Sequence, residues 1–441
     1  MKKFITTIRN IFSIEELRKR IIYTVLLLVI FRLGSFVVLP GLDPEQLDIK
    51  GNLGAFGGVA GILDTILGGA FTKAAIFALG IMPYISASIV IQLLTVAVPY
   101  FQKMQKEGES GRKRMNQITR YLTIIITFFQ SFAYLTSTIN PEAILVPYWF
   151  FIFSSMVILT TGTMFTMWLG ERITERGIGN GISMLIMIGI ISRFPASLIQ
   201  EGSSHNLLIF IVEMVFLFFV VMAVVMLTQA TRKVPVQYAK QVVGNNVMRG
   251  QRQYIPLKVN AAGVMPIIFA QSLMFLPALI PSVPGIAGTN VGTWIGTTFA
   301  DFTSIGYNLL FALLIILFTY FYTAIQVDPT RISDDIKRNN GFIPGVKPGP
   351  QTADFIDGIL SRITLPGAVF LALVAIFPAF AVRMGVTTEF SQFYGGTSLL
   401  IMVGVILDTL QQIESYLLMR RYEGLMKSGK IKGRSQNVPV I

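Results

Sequence analysis

Cysteine is absent from the 441-residue chain. Disulfides, thiolate nucleophiles and cysteine metal sites are therefore excluded. Histidine occurs once, at His205, and cannot form a metal cluster or a histidine-based catalytic set by itself. Charge is scarce at 13% of residues, against about 25% in soluble domains. No GxxxxGK[ST] run is present, so the chain carries no phosphate-cradling loop of that kind. The glycine-rich Gly177-Ile178-Gly179-Asn180-Gly181 follows no strand and reads as a tight backbone turn. With no Ser/His/Asp arrangement and no metal-ligand spacing either, neither an enzyme nor a cofactor protein is expected.

Apolar sequence is abundant: 53% of residues are hydrophobic, with 34 Phe and 19 Met. Ten apolar runs, long enough or nearly so to cross a bilayer, fall at roughly 21–39, 74–98, 118–138, 149–169, 181–199, 207–229, 261–280, 305–325, 364–382 and 397–418. This is the pattern of an all-α, multi-pass membrane protein. The start, MKKFITTIRNIFSIEELRKR, carries further charge where a cleavable signal would have an apolar core, and Phe4, Ile8, Ile11 and Phe12 suggest a surface amphipathic helix. Of 36 Lys and Arg, all but Arg32, Lys50, Lys73, Arg193 and Arg383 fall on the side shared by both termini. The positive-inside rule then places both termini in the cytoplasm.

Ten spans divide into halves of five, 1–203 and 204–441. An odd number per half permits an inverted repeat about an axis in the membrane plane. Two long basic loops, 230–258 and 326–362, lie on the expected cytoplasmic side, and long ordered loops are more often functional than idle. They read as docking surfaces for a large anionic partner. A secondary transporter for a small solute is the competing class. It would need intramembrane ionisable groups, for which Arg32, Glu213 and Asp408 are the candidates. Arg32 reads better as a tether to a backbone carbonyl or a neighbouring carboxylate than as a relay. The wiring is sparse for ion coupling, and a passive scaffold is the third class.

One segment does not fit the spans. GGVAGILDTILGGA (57–70) is apolar and bracketed by glycine pairs, yet would reach only about 21 Å as a helix, short of a core about 30 Å thick. Val59, Ile62, Leu63, Ile66 and Leu67 share a helical face, with Gly61, Asp64, Thr65 and Gly68 on the weakly polar side. An interfacial anchor would carry Lys or Arg there, whereas a re-entrant helix need not. Both readings are open from the residues alone.

Several blocks carry a resemblance: FALGIMPYISASIVIQLL (77–94), KEGESGRKRMNQITRY (106–121), GTMFTMWLGERITERGIGNGIS (162–183), IPLKVNAAGVMPIIFA (255–270), FIPGVKPGPQTADFID (342–357) and RRYEGLMKSGKIKGR (420–434). Over nearly its whole length the chain resembles the SecY family, the large subunits of the bacterial protein-conducting channel. The resemblance implies two five-span halves forming a clamshell around an hourglass pore. Unfolded secretory chains cross through it, and hydrophobic segments leave sideways into lipid. It implies a pore ring at Ile81, Ile85, Ile182, Ile186, Met265 and Ile401. The segment at about 58–71 becomes a re-entrant plug, with Val59, Ile62, Leu63, Asp64, Ile66 and Leu67, and its glycine pairs become hinges. A lateral gate between the second and seventh spans would include Gln92 and Gln271. Lys240, Arg249, Arg252 and Lys347 would serve cytoplasmic partners.

The implied partners are SecE-type and SecG-type small membrane subunits, the SecA motor ATPase, the ribosome, signal peptides, preproteins and membrane lipid, with no specific nucleic acid sequence. The implied location is the bacterial cytoplasmic membrane. Two departures stand out. Lys347 occupies the PGVKPG position where the family commonly has arginine, and Gly244-Asn245-Asn246 follows YAK where basic residues are usual. Lys keeps the charge but loses the bidentate fork.

Overall fold

The structure, a computed structural model, describes residues 14–43, 61, 64–238, 241–243, 246–248, 252–279, 289, 294, 298–299 and 301–427. The expected amphipathic helix at 4–12 and the end of the tail lie outside them. Helices dominate, and the apolar runs are where they form. They are α1 (Glu15–Gly34), α2 (Met82–Ala97), α3 (Pro99–Lys106), α4 (Glu109–Thr138), α5 (Tyr148–Arg176), α6 (Gly181–Ser204), α7 (Leu207–Gln229), α8 (Met265–Leu279), α9 (Ile305–Gln326), α10 (Pro329–Arg338), α11 (Pro350–Arg383), α12 (Thr388–Ser391) and α13 (Gly396–Lys427).

Seven helices among the described residues are long and apolar enough to cross a membrane, and α2 with α3 makes an eighth if that pair is one span bent by 98°. The helices at the expected first and seventh positions fall short of the same measure: α1 carries charge at both ends, and α8 has 15 residues. The second expected span starts late. Residues 74–81 form hydrogen-bonded turns, with positive φ at Ala74 and Gly80, and the helix begins only at Met82, with Pro83 in its first turn. At its other end Pro99 holds Val98 extended and forces the bend into α3.

The first-half helices pack on one another through α1 with α5 and α6, α2 with α4 and α5, and α4 with α5. In the second half α9 lies between α8 and α11, and α13 packs on α7, α8 and α11. Two seams join these groups: α2 against α8, and α6 against α7, α12 and α13. The outer surface is apolar. Leu208, Ile211, Val212, Phe218 and Phe219 of α7 are exposed, and of that helix only Leu217 and Val224 are buried. In water such a surface would aggregate; in lipid it is ordinary.

The two long loops hold structure that hydropathy does not announce. Strand β1 (Thr231–Tyr238) pairs antiparallel with β4 (Arg252–Lys258), and β5 (Gly341–Phe342) joins β1's other edge. Between β1 and β4, β2 (Gln241–Val243) and β3 (Asn246–Met248) form a short hairpin. Val234, Val236 and Leu257 of the first loop bury against Ile336, Ile343, Ile356 and Leu360 of the second. The loops are thus one body. The second is also shorter than expected, because α11 starts at Pro350, well before the apolar run at 364.

Candidate functional site

The segment around Asp64 is held from three sides. Asp64 is 6% exposed, and its Oδ1 accepts hydrogen bonds from the Thr72 amide and hydroxyl, both at 2.9 Å. Its Oδ2 pairs with the Arg193 guanidinium from α6, which also donates to the Thr72 hydroxyl at 3.3 Å. Arg32 of α1 donates to the Gly68 carbonyl at 3.1 Å, so it is a tether to a backbone carbonyl as expected. Tyr134 of α4 donates to the Phe71 carbonyl at 2.7 Å.

Gly68 and Gly69 have φ of 64° and 90°, and a Cβ at Gly68 would lie 2.4 Å from an Arg32 nitrogen. Only glycine allows this turn against two arginines. On the facing helix, a Cβ at Gly189 would fall 2.2 Å from the Ile66 carbonyl, so α6 and the segment touch backbone to backbone. The weakly polar face expected to carry Asp64 is therefore not a solvated one. Its carboxylate is buried because Arg193, 129 residues away in sequence, comes to meet it.

Ile81, Ile85, Ile186 and Ile401 are each 4% exposed or less, while Ile182 and Met265 are half-buried. All six belong to one hydrophobic cluster that also contains Ile66. Ile81 is the N-cap of α2, so the Ile81/Ile85 pair straddles the helix start instead of lying within the helix. Ile182 leans on Gly170 of α5. Ile66, Ile186 and Ile401 line one cavity with Met82, Ile268, Gln271 and Thr397. Its volume is about 10 Å³, no more than one water needs (~10–15 Å³). Ile268 was missed from sequence, although it lies one helical turn beyond Met265; Met82 and Thr397 carried no signal.

On the other side of the same segment, Gly61, Asp64 and Thr65 line a cavity of about 550 Å³ with Arg193 and Ser197 of α6, Asp301, Phe302, Glu389 and Gln392. A wide space lined mainly by polar residues and a small apolar point are therefore separated by the two-residue step from Asp64 to Ile66. Leu67 is buried in a neighbouring cluster with Phe71 and Tyr134. Val59, Ile62, Leu63 and the first glycine pair lie outside the described residues.

Gln92 of α2 donates to the Ser88 hydroxyl of its own helix at 3.3 Å, and Gln271 of α8 is buried at the small cavity. The two stand on helices that pack together. Lys347 is exposed between β5 and α11, where its carbonyl accepts from the Thr352 hydroxyl at 2.9 Å. Arg252 opens β4 opposite Gln237. Lys240 and Arg249 lie outside the described residues. Glu213 stands near the start of α7 and Asp408 in the second half of the last apolar run.

A protein-family model described as SecY matches residues 75–410. Protein translocase subunit SecY of Halalkalibacterium halodurans is 44% identical over 437 residues, 96% of this chain and 99% of that protein. The subunit of the same name from Escherichia coli K12 is 41% identical over 434 residues, 96% of each chain. Among solved structures, "The structure of a protein conducting channel" aligns with a TM-score of 0.61 at 17% identity, covering 90% of this chain and 92% of that one. A Sec61 channel from the canine ribosome-channel complex aligns at 0.57 and 16% identity, with 90% and 92% covered. At these identities the structural likenesses speak for the fold.

Proposed function

The chain belongs to the SecY family of protein translocase subunits, and from that premise we propose how its residues close and open a path through a bacterial cytoplasmic membrane. The two helix groups, 1–203 and 204–441, act as the halves of a clamshell with ten spans, α1 and α8 included. Both termini and the small β-containing body face the cytoplasm. Ile81, Ile85, Ile182, Ile186, Met265 and Ile401 form the constriction, and residues 58–71 form a plug beneath it. The single observation that carries this reading is the step from Asp64 to Ile66, with a cavity of about 550 Å³ lined mainly by polar residues on one side and an apolar point of about 10 Å³ on the other.

The chemistry suits a polypeptide cargo. A ring of aliphatic side chains offers a polar chain no hydrogen bonds that would retain it, yet closes around any sequence and excludes water. Met265, where isoleucine is usual, is unbranched and adapts to the same contour. Asp64, Thr72 and Arg193 hold the plug in its seat by directional polar contacts that an entering chain can replace with water. Hydrophobic segments leave between α2 and α8, past Gln92 and Gln271.

Energy comes from outside, through a SecA-type motor or a ribosome seated on the exposed loops. The solved relative titled as part of a canine ribosome-channel complex supports the ribosome as one such partner. Lys347, Arg252, Arg249 and Lys240 supply positive charge to that surface, and SecE-type and SecG-type subunits complete the complex. Reconstitution in liposomes with a SecE-type subunit, motor and ATP tests the reading. Preprotein import that requires the motor is expected, with no saturable small-solute uptake by the chain alone; uptake without import would favour a secondary transporter.

A further inference from the structure

At the junction between α6 and α7 the structure gathers groups that the transport reading leaves unused. Glu201, in the last turn of α6, is fully buried. His205 follows as the cap of that helix, its amide donating to the Glu201 carbonyl at 3.1 Å, and Glu213 comes from α7. The His205 Nδ1 lies 3.0 Å from Glu201 Oε1 and 4.0 Å from Glu213 Oε1. One ligand atom from each of the three residues falls within 4.8 Å of the others.

A second observation points to a missing occupant. Among the described residues nine buried side-chain polar atoms have no hydrogen-bond partner, and three of them meet here: His205 Nδ1, Glu213 Oε2 and Tyr394 Oη. Tyr394 is 2% exposed, and its hydroxyl lies within electrostatic reach of both carboxylates. Nδ1 stands close to Glu201 yet is not aligned to share a hydrogen bond with it. Meanwhile the amide and hydroxyl of Thr387 donate to the Glu201 carboxylate and fix its orientation. Two carboxylates forced together in a buried place repel unless a cation or a shared proton joins them.

We propose that Glu201, His205 and Glu213 form a binding site for a divalent transition-metal cation of the zinc type. Tetrahedral bonds of about 2.0–2.2 Å place ligand atoms about 3.4 Å apart, so the 3.0 Å gap between Nδ1 and Glu201 Oε1 opens slightly while the Glu213 oxygen, 4.0 Å from Nδ1, moves in. An imidazole donor favours zinc-like ions over calcium or magnesium, which take oxygen ligands. The dication balances the two carboxylates, occupies the lone pairs of Nδ1 and Glu213 Oε2, and leaves further positions for water or the Tyr394 hydroxyl. Thr387 is the outer contact that orients a ligand. The site ties the end of α6 to α7, and through Thr387 and Tyr394 to the segment before α13. It rests on these side chains alone and not on the transport reading.

The test uses the full-length chain in detergent, purified without a histidine tag because His205 is its sole histidine. Zinc titrated calorimetrically is expected to bind one ion per chain, and cobalt to give the visible bands of an imidazole–carboxylate complex. His205→Gln is expected to weaken zinc binding roughly 100-fold, and Thr387→Val, which removes no ligand, roughly tenfold. Zinc is also expected to raise the thermal unfolding midpoint of the parent chain and not that of His205→Gln. Absence of stoichiometric zinc binding by the parent chain overturns the site, as does undiminished affinity in a folded His205→Gln. In either case the carboxylates are held by a shared proton instead.

Discussion

Asp64 meets the Arg193 guanidinium and two donors from Thr72 at the wall of the wide cavity, with only 6% of its own surface exposed. Its stability depends on all of them staying in place, because a buried carboxylate deprived of its counter-ion keeps its desolvation cost and loses its compensation. Removing the arginine should therefore hurt more than removing the pair. Arg193→Ala is expected to raise the resting ion conductance of reconstituted channels, with an open-to-closed ratio up by about five- to 150-fold, or about 1–3 kcal/mol. Adding Asp64→Ala in the same chain should recover part of the seal. Single-channel recording of both variants and the double mutant decides it: strictly additive effects would mean the two side chains act independently. The sequence sets Arg193 apart only as one of five basic residues off the side shared by the termini, and nothing local marks it for this role. Its significance arises only when α6 is laid against the segment at 64–72.

At the scale of the elements, hydropathy located the helices but not their ends. It placed α7 and α9 to within a residue or so, because 207–229 and 305–325 are apolar but for isolated residues such as Glu213 and Asn308 and are bounded by polar residues. It set the second span too early, because Phe77-Ala78-Leu79-Gly80 is as apolar in its hydrogen-bonded turns as it would be in a helix. It set α11 too late, because Asp354, Asp357 and Arg362 lower the hydropathy of a helical stretch that packs beside α10. The strands were hidden because β1 reads TRKVPVQY, with Val234 and Val236 alternating among polar residues inside a charged loop. The residues proposed for the ring stood out only through family motifs; as bare aliphatic side chains they are indistinguishable from packing.

The proposed ring can be tested together with the segment proposed to close it. Ile66 and Ile401 line the same small cavity, and the chain has no cysteine of its own to confuse the result. With Ile66→Cys and Ile401→Cys in one chain, a cleavable thiol cross-linker is expected to halt preprotein transit. Cleavage of the linker should restore it. Transit that continues with the link intact would show that the plug stays in place while a chain passes.

Over the whole molecule, the two helix groups meet at two seams of different character. Along one, α6 runs against α7, α12 and α13, with the connector through His205 only a few residues long; this seam cannot part far. Along the other, α2 meets α8, whereas the connection from the first group to the second runs through α6 and α7. In the clamshell proposed above, rotation about the first seam would open the second and give an exit to lipid at α2 and α8. A hydrophobic segment leaving as a helix needs a gap of its own width, about 10–12 Å. The expected result is therefore a threshold in length. With Gln92→Cys and Gln271→Cys, a linker that just spans the closed seam should block delivery of hydrophobic segments into the bilayer. One longer by roughly 12 Å should permit it. Delivery can be scored by protease protection and carbonate resistance of a model membrane segment. If the short linker leaves delivery unchanged, the segment does not pass between α2 and α8, and the exit has to be sought at another helix pair.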